Sequence, residues 1–230
     1  MERKINFSIN EYYHLYNRGT DKHEIFLDSK DYLRFKALLY VCNSSDSVDI
    51  ARHFKNGRTF SDLFFVRRKR TLVDIGAYCL MPNHFHILVK EKIPGGVTQF
   101  MLKLLTGYSM YFNKKHKRTG PVFERAFKAK HVNTDTYLKY LFAYIHLNPV
   151  KIIDPEWKES GISDIRRTER YLNSYQNSSY LIYQQKNYQE EEIINKGAFP
   201  EYFEKVDDFN DFIKEWLLFN THEGLGEGQG

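Results

Sequence analysis

The stretch Y-C-L-M-P-N-H-F-H-I-L-V-K at residues 78–90 decides how this chain is read. An apolar run halts at Pro82-Asn83, a pair that favours a tight turn, and a second strand-like apolar run follows with two histidines just inside it. In an extended chain, successive side chains point to opposite faces. His84, His86, Leu88 and Lys90 then share one face, while Phe85, Ile87 and Val89 share the other. The second is a core face. The first sets two imidazoles side by side, a pair able to chelate a metal or to serve as a hydrogen-bonded surface pair.

Working outward, E-Y-Y-H-L-Y-N-R-G at 11–19 reads as a strand stopped by a glycine turn. Asp28 or Ser29 caps a helix on which Tyr32, Phe35, Leu39 and Cys42 follow at helical spacing. Residues 43–70 are polar and basic, with R-R-K-R at 67–70. They are too long for a bare connection and are expected to carry structure or a functional loop. Residues 71–81 and 84–90 form the second and third strands. After I-P-G-G comes a helix over 97–116, with Phe100, Leu104, Tyr108 and Tyr111 on one stripe. K-R-T-G turns into a fourth strand over 122–132. Asn133 or Thr134 caps a last core helix, which Pro149 ends.

The order is β-α-β-β-α-β-α. Its first six elements match an α+β, ferredoxin-like split-βαβ arrangement: an antiparallel sheet with helices on one side. The histidine strand is then central, and its histidine face lies away from the two core helices. The added helix after Thr134 is the natural roof for that face. Tyr137, Tyr140, Tyr144 and Asn148 form a polar stripe on it, at i, i+3, i+7 and i+11. In a chain with 17 tyrosines such a stripe reads as packing or as catalysis.

The 230 residues, 42% hydrophobic and 27% charged, suit a globular chain with one large domain or a domain and an appendage. No apolar run of about 18 residues and no leader pattern is visible, so a cytoplasmic protein with no membrane contact is expected. Cys42 and Cys79 sit in apolar runs without a C-x-x-C partner and read as buried reduced thiols. The net charge of +5 is unevenly spread: between 101 and 151 only Glu124 and Asp135 oppose a run of lysines and arginines. From 184 the sign reverses. The expected division is a body over 1–153, with 43–70 as an inserted basic segment, and a partly helical, acidic extension over 154–230. D-F-N-D-F-I-K-E-W-L-L-F at 208–219 reads as an amphipathic helix, and G-L-G-E-G-Q-G at the end as disordered.

M-P-N-H-F-H-I-L-V resembles the histidine–hydrophobic–histidine motif of the HUH single-tyrosine transposases. H-L-Y-N-R-G at 14–19, G-P-V-F-E-R-A-F-K at 120–128 and Y-I-H-L-N-P-V at 144–150 resemble other stretches of the same family, in the same order. The resemblance covers about residues 13–152. It implies that Tyr144 is the nucleophile, with Tyr140 as the fallback one turn earlier. It implies that His84, His86 and Asn148 hold a divalent cation, Mg²⁺ or Mn²⁺, with Asn148 standing where other members use Gln. The activity implied is cleavage and rejoining of single-stranded DNA through a 5′-phosphotyrosine.

Arg18, Lys114, Lys115, Lys117, Arg118, Arg125, Lys128 and Lys130 are the expected DNA-binding cations. Phe123 and Phe127, interleaved with them, read as core or as base-stacking platforms. The extension, with Y-Q-N-S-S-Y at 175–180, resembles the REP-associated branch of the family. That implies hairpin DNA as partner and favours a monomer over a homodimer. Two other readings fit the residues: a hairpin DNA or RNA binding protein without catalysis, and a metal-dependent nuclease that activates water.

Overall fold

Strands β1 (Tyr12–Arg18), β2 (Val73–Met81), β3 (His84–Glu91) and β4 (Lys128–Val132) form one sheet in the order β2-β3-β1-β4. Every pairing is antiparallel. The computed structural model describes residues 5–46, 49–184, 188–203 and 205–218. Helix α1 (Ser29–Val41) follows β1, α2 (Ile50–Lys55) lies in the long connection, α3 (Gly96–Lys115) follows β3, and α4 (Asp135–Leu147) follows β4. Short helices α5 (Trp157–Ser160), α6 (Ile165–Leu172) and α7 (Tyr180–Tyr183) precede α8 (Val206–Leu218). The arrangement is the α+β split-βαβ sheet expected from the alternation.

Helix starts are where the capping residues put them. Asp28 accepts from the Lys30 and Asp31 amides at 2.9 and 3.1 Å, and Thr134 Oγ1 accepts from the Tyr137 amide. Each such cap is worth about 1 kcal/mol. The start of α3 is held from β3 instead: Glu91 accepts from the Gly96 and Val97 amides at 3.1 and 2.7 Å.

Alternation along the strands divides the interior in two. Phe85, Ile87 and Val89 join Tyr13, Leu15, Tyr78 and Leu80 in a core beneath α1 and α3. Leu88, Ala77, Cys79 and Met81 face the other way, against Leu138, Leu141, Phe142 and Ile145 of α4. Cys42 and Cys79 are both buried and unpaired.

The fourth strand is shorter than the spacing predicts. Residues 122–127 form no ladder with the sheet beyond an isolated bridge from Phe123 to Gly19. Asn17 Nδ2 takes the Arg125 carbonyl at 3.0 Å, so a side chain satisfies backbone that a ladder would otherwise pair. Phe123 and Phe127 are core residues, 7% exposed each. The long connection carries α2 and a 3₁₀ turn (Ser61–Phe65). Within its R-R-K-R run, Arg68 lies 3.7 Å over the Tyr40 ring and donates to the Glu192 carbonyl at 3.1 Å.

The C-terminal residues wrap the β2 edge. Leu80 N donates to Asn177 O at 2.8 Å and Ser179 N to Tyr78 O at 2.9 Å, so the Ser-Ser pair continues the sheet. The chain then crosses to the helix layer, where Lys36 and Glu190 pair at 2.6 Å. It returns at Asn195, which donates to Ile75 O. Phe199 next lies on Gly76, the bulged residue of β2, where an added Cβ would sit 2.6 Å from the ring. Finally α8 lays Phe209, Ile213 and Leu217 into the core that α4 shares. The glycine-rich end expected to be disordered lies outside the described residues.

Candidate active site

Register brings the site residues to one face. Pairing with β1 sets His84 opposite Arg18, His86 opposite Tyr16 and Leu88 opposite His14. Pairing of β1 with β4 sets Lys128 opposite Tyr16 and Lys130 opposite His14. All of these side chains rise from the face that α4 covers.

Helix α4 is seated by its buried leucines, Phe142 and Ile145, which turns the tyrosine stripe toward the histidines. The Tyr144 ring stands edge-on to His86, centroids 5.3 Å apart with planes at 83°, and 6.0 Å from His14. Tyr140 lies 5.9 Å from Tyr144 and 5.6 Å from Trp216 of α8. Pro149 ends the α-helix without ending the stripe: Asn148 keeps helical dihedrals (φ −55°, ψ −37°) and opens a 3₁₀ turn, Asn148–Ile152. The amide of Asn148 is thus carried one turn beyond Tyr144.

Hydrogen bonds orient both imidazoles. His84 Nδ1 lies 2.7 Å from Asn83 Oδ1, and Asn83 Nδ2 donates to the Lys22 carbonyl at 3.2 Å. That second bond fixes which way the Asn83 amide faces, so its oxygen accepts and His84 carries its proton on Nδ1. His86 Nδ1 lies 2.9 Å from His14 Nε2. Burial takes the His84 imidazole down to about 4, with Lys151 and Arg18 adding to the fall and Asn148 opposing it. Burial, then Lys130, takes His14 down to about 3. The His84 and His14 rings are therefore neutral at pH 7, and for His84 that is the form that ligates metals.

Asn148 is fully buried. Its amide lies against His84 closely enough to bias the ring's protonation, yet neither Oδ1 nor Nδ2 makes a hydrogen bond of normal geometry. An orphaned buried amide costs about 1–3 kcal/mol. Among the described residues no three His, Cys, Asp or Glu side chains group as a metal set. The donors here are of another kind, two imidazoles and one buried amide. They fit a divalent cation that accepts both nitrogen and oxygen.

The expected DNA-binding cations separate. Lys128 stands 5.9 Å from the Tyr16 ring and Lys130 4.7 Å from the Tyr137 ring, both bordering the histidines. Arg18 shares the face and pairs with Glu124 at 3.0 Å. Lys115 is drawn into the helix layer by Asp28 and Asp31, at 2.6 and 2.7 Å. Arg118 lies over Phe112 at 5.5 Å. Lys114, Lys117 and Arg125 are exposed, the first two at the end of α3. Sequence reasoning assigned no role to His14, Asn83 or Lys151. For His14 a signal was present: alternation on β1 puts it on one face with Tyr16 and Arg18.

A sheet with a histidine pair roofed by a tyrosine helix defines a class of site. Residues 57–148 match the family model described as transposase, IS200-like. The matched stretch includes β2, β3, α3, β4 and α4, and ends on Asn148. Over this segment the chain is similar to the IS200-like transposases. The solved structure of a REP-associated tyrosine transposase bound to a REP hairpin is similar at 10% identity, with a TM-score of 0.49, over 90% of this chain and 93% of that chain. No curated protein matches. Among the described residues no helix is long and apolar enough to cross a membrane.

Proposed function

We propose that the chain is a single-strand DNA endonuclease and strand-transferase with Tyr144 as its nucleophile. The observation that carries this reading is the Tyr144 ring set edge-on to His86, 5.3 Å away, within one chain. The Tyr144 hydroxyl oxygen attacks a backbone phosphorus, the bond to the 3′ oxygen breaks, and that oxygen leaves as a hydroxyl. The 5′ phosphate stays on the tyrosine. Rejoining reverses the step, with a 3′-hydroxyl displacing the tyrosine, so the bond energy is retained and no ATP is needed.

His84, His86 and Asn148 would hold Mg²⁺ or Mn²⁺. Such a cation polarises the phosphate and offsets developing negative charge. Lys128, Lys130 and Arg18 hold phosphates on either side, and Tyr16 and Tyr137 offer rings on which unpaired bases stack. Lys114, Lys117, Arg118 and Arg125 extend the basic surface. Lys115, held by two carboxylates, contributes least. Residues 1–153 are the catalytic body in this reading, and 154–230 an extension that recognises hairpin DNA. One chain supplies the histidines, the amide and the tyrosine, which supports a monomer acting alone.

The test is incubation of the protein and its Tyr144→Phe variant with Mn²⁺ and end-labelled hairpin oligonucleotides from DNA flanking its own gene. Denaturing gels should show a covalent adduct bearing the 3′-side fragment, absent in the variant. Cleavage by both proteins without adduct would make water the nucleophile. Binding by both with cleavage by neither would leave a non-catalytic hairpin-binding protein.

A further inference from the structure

The contact between His14 and His86 is not consumed by the scheme above. Their ring nitrogens Nε2 and Nδ1 are 2.9 Å apart, and the rings stack at 27° with centroids 5.0 Å apart. Both side chains are 7% exposed, so water does not compete freely for the bond. Two ring nitrogens at this distance share one proton: one donates and the other accepts. If His14 donates, His86 carries its own proton on Nε2. If His86 donates, its Nε2 keeps the lone pair. A free neutral imidazole prefers the proton on Nε2, which is the tautomer unable to ligate through that atom.

The neighbouring ring supplies the comparison. Asn83 Oδ1, oriented by the bond from Asn83 Nδ2 to Lys22 O, accepts from His84 Nδ1. We propose that His14 does for His86 what Asn83 does for His84. It is a positioning residue that accepts the His86 Nδ1 proton, so that both imidazoles present Nε2 to a divalent cation. The inference rests on the metal-binding reading of the pair. Its residue comes from β1, 72 positions away in sequence, and reaches the site only through strand pairing. Outer partners of this kind fix ring orientation and raise ligand basicity, and losing one typically weakens metal binding about 10–100-fold.

The test begins without substitution. Long-range ¹⁵N–¹H correlation spectra of the metal-free, ¹⁵N-histidine-labelled chain report the His86 tautomer directly. The proton should be on Nδ1. His14→Phe keeps a ring in place without an acceptor and should move the proton toward Nε2. Its Mn²⁺ affinity, read by electron paramagnetic resonance, should fall about 10–100-fold. His14→Gln sets an amide oxygen near the lost nitrogen and should restore both readouts. A wild type with His86 protonated on Nε2 overturns the inference even if His14→Phe fails to fold. So does unchanged Mn²⁺ affinity in a folded His14→Phe. A wild type that binds no Mn²⁺, or binds it equally after His84→Ala, overturns the metal site itself. Mn²⁺ bound at both histidines but indifferent to His14 overturns only the role given to His14.

Discussion

Lys115, expected from its basic surroundings to meet DNA, bridges Asp28 and the fully buried Asp31 at 2.6 and 2.7 Å. It joins the end of α3 to the start of α1 on the side of the sheet away from the histidines. Its removal strips a buried carboxylate of its main cationic partner, with His116 and Tyr111 left as lesser ones. Lys115→Gln should cost about 3 kcal/mol in urea unfolding. It should leave the affinity of the folded protein for hairpin oligonucleotides unchanged.

Lys128 and Lys130 should behave in the opposite way. Both are exposed on β4 beside the histidine face. Replacing either by Gln should barely alter unfolding. It should flatten the dependence of log affinity on log salt by about one phosphate contact per lysine. Fluorescence titration of a labelled hairpin at several salt concentrations reads this slope.

Asn148 is kept at a cost. Asn148→Leu, of similar volume, removes the orphaned amide and should raise the stability of the metal-free protein by about 1 kcal/mol. The same variant should lose the rise in melting temperature that Mn²⁺ confers on the wild type. Thermal unfolding with and without Mn²⁺ checks both halves.

Gly76 has room for nothing more, because the Phe199 ring lies 2.6–2.8 Å from where a Cβ would stand. Gly76→Ala should destabilise by about 1–3 kcal/mol through overpacking. In the background of Phe199→Ala the same change should cost much less. A double-mutant cycle measures that coupling.

Two buried histidines and the half-buried His84 set an acid limit. Burial takes His146 to about 3, alongside His14 at about 3 and His84 at about 4. Their folded values lie below the ordinary 6.5, so below that pH the unfolded chain binds protons that the folded chain refuses. Stability of the metal-free protein should be flat above about pH 6.5 and fall steadily from there toward pH 4. Urea midpoints across that range would show the slope, and a flat profile would remove the basis for it.

Local pattern alone determined a good deal. Alternation around Pro82-Asn83 put His84 and His86 on one face and Phe85, Ile87 and Val89 on the other, because side-chain period in a strand is two whatever lies elsewhere. Helical spacing set Tyr140, Tyr144 and Asn148 on one stripe, and the pairs Asp28-Ser29 and Asn133-Thr134 marked the helix starts, where the structure shows Asp28 and Thr134 as the caps. Tertiary structure decided the rest. That His14 bonds to His86, that Arg68 stacks on Tyr40, and that Lys115 serves Asp31 all depend on residues far apart in sequence. The wrapping of the β2 edge by Asn177, Ser178 and Ser179, and the seating of Phe199 on a bulge, likewise depend on register. Such partners are chosen by strand pairing and packing over long separations, which leave no periodic trace in either of the stretches they join.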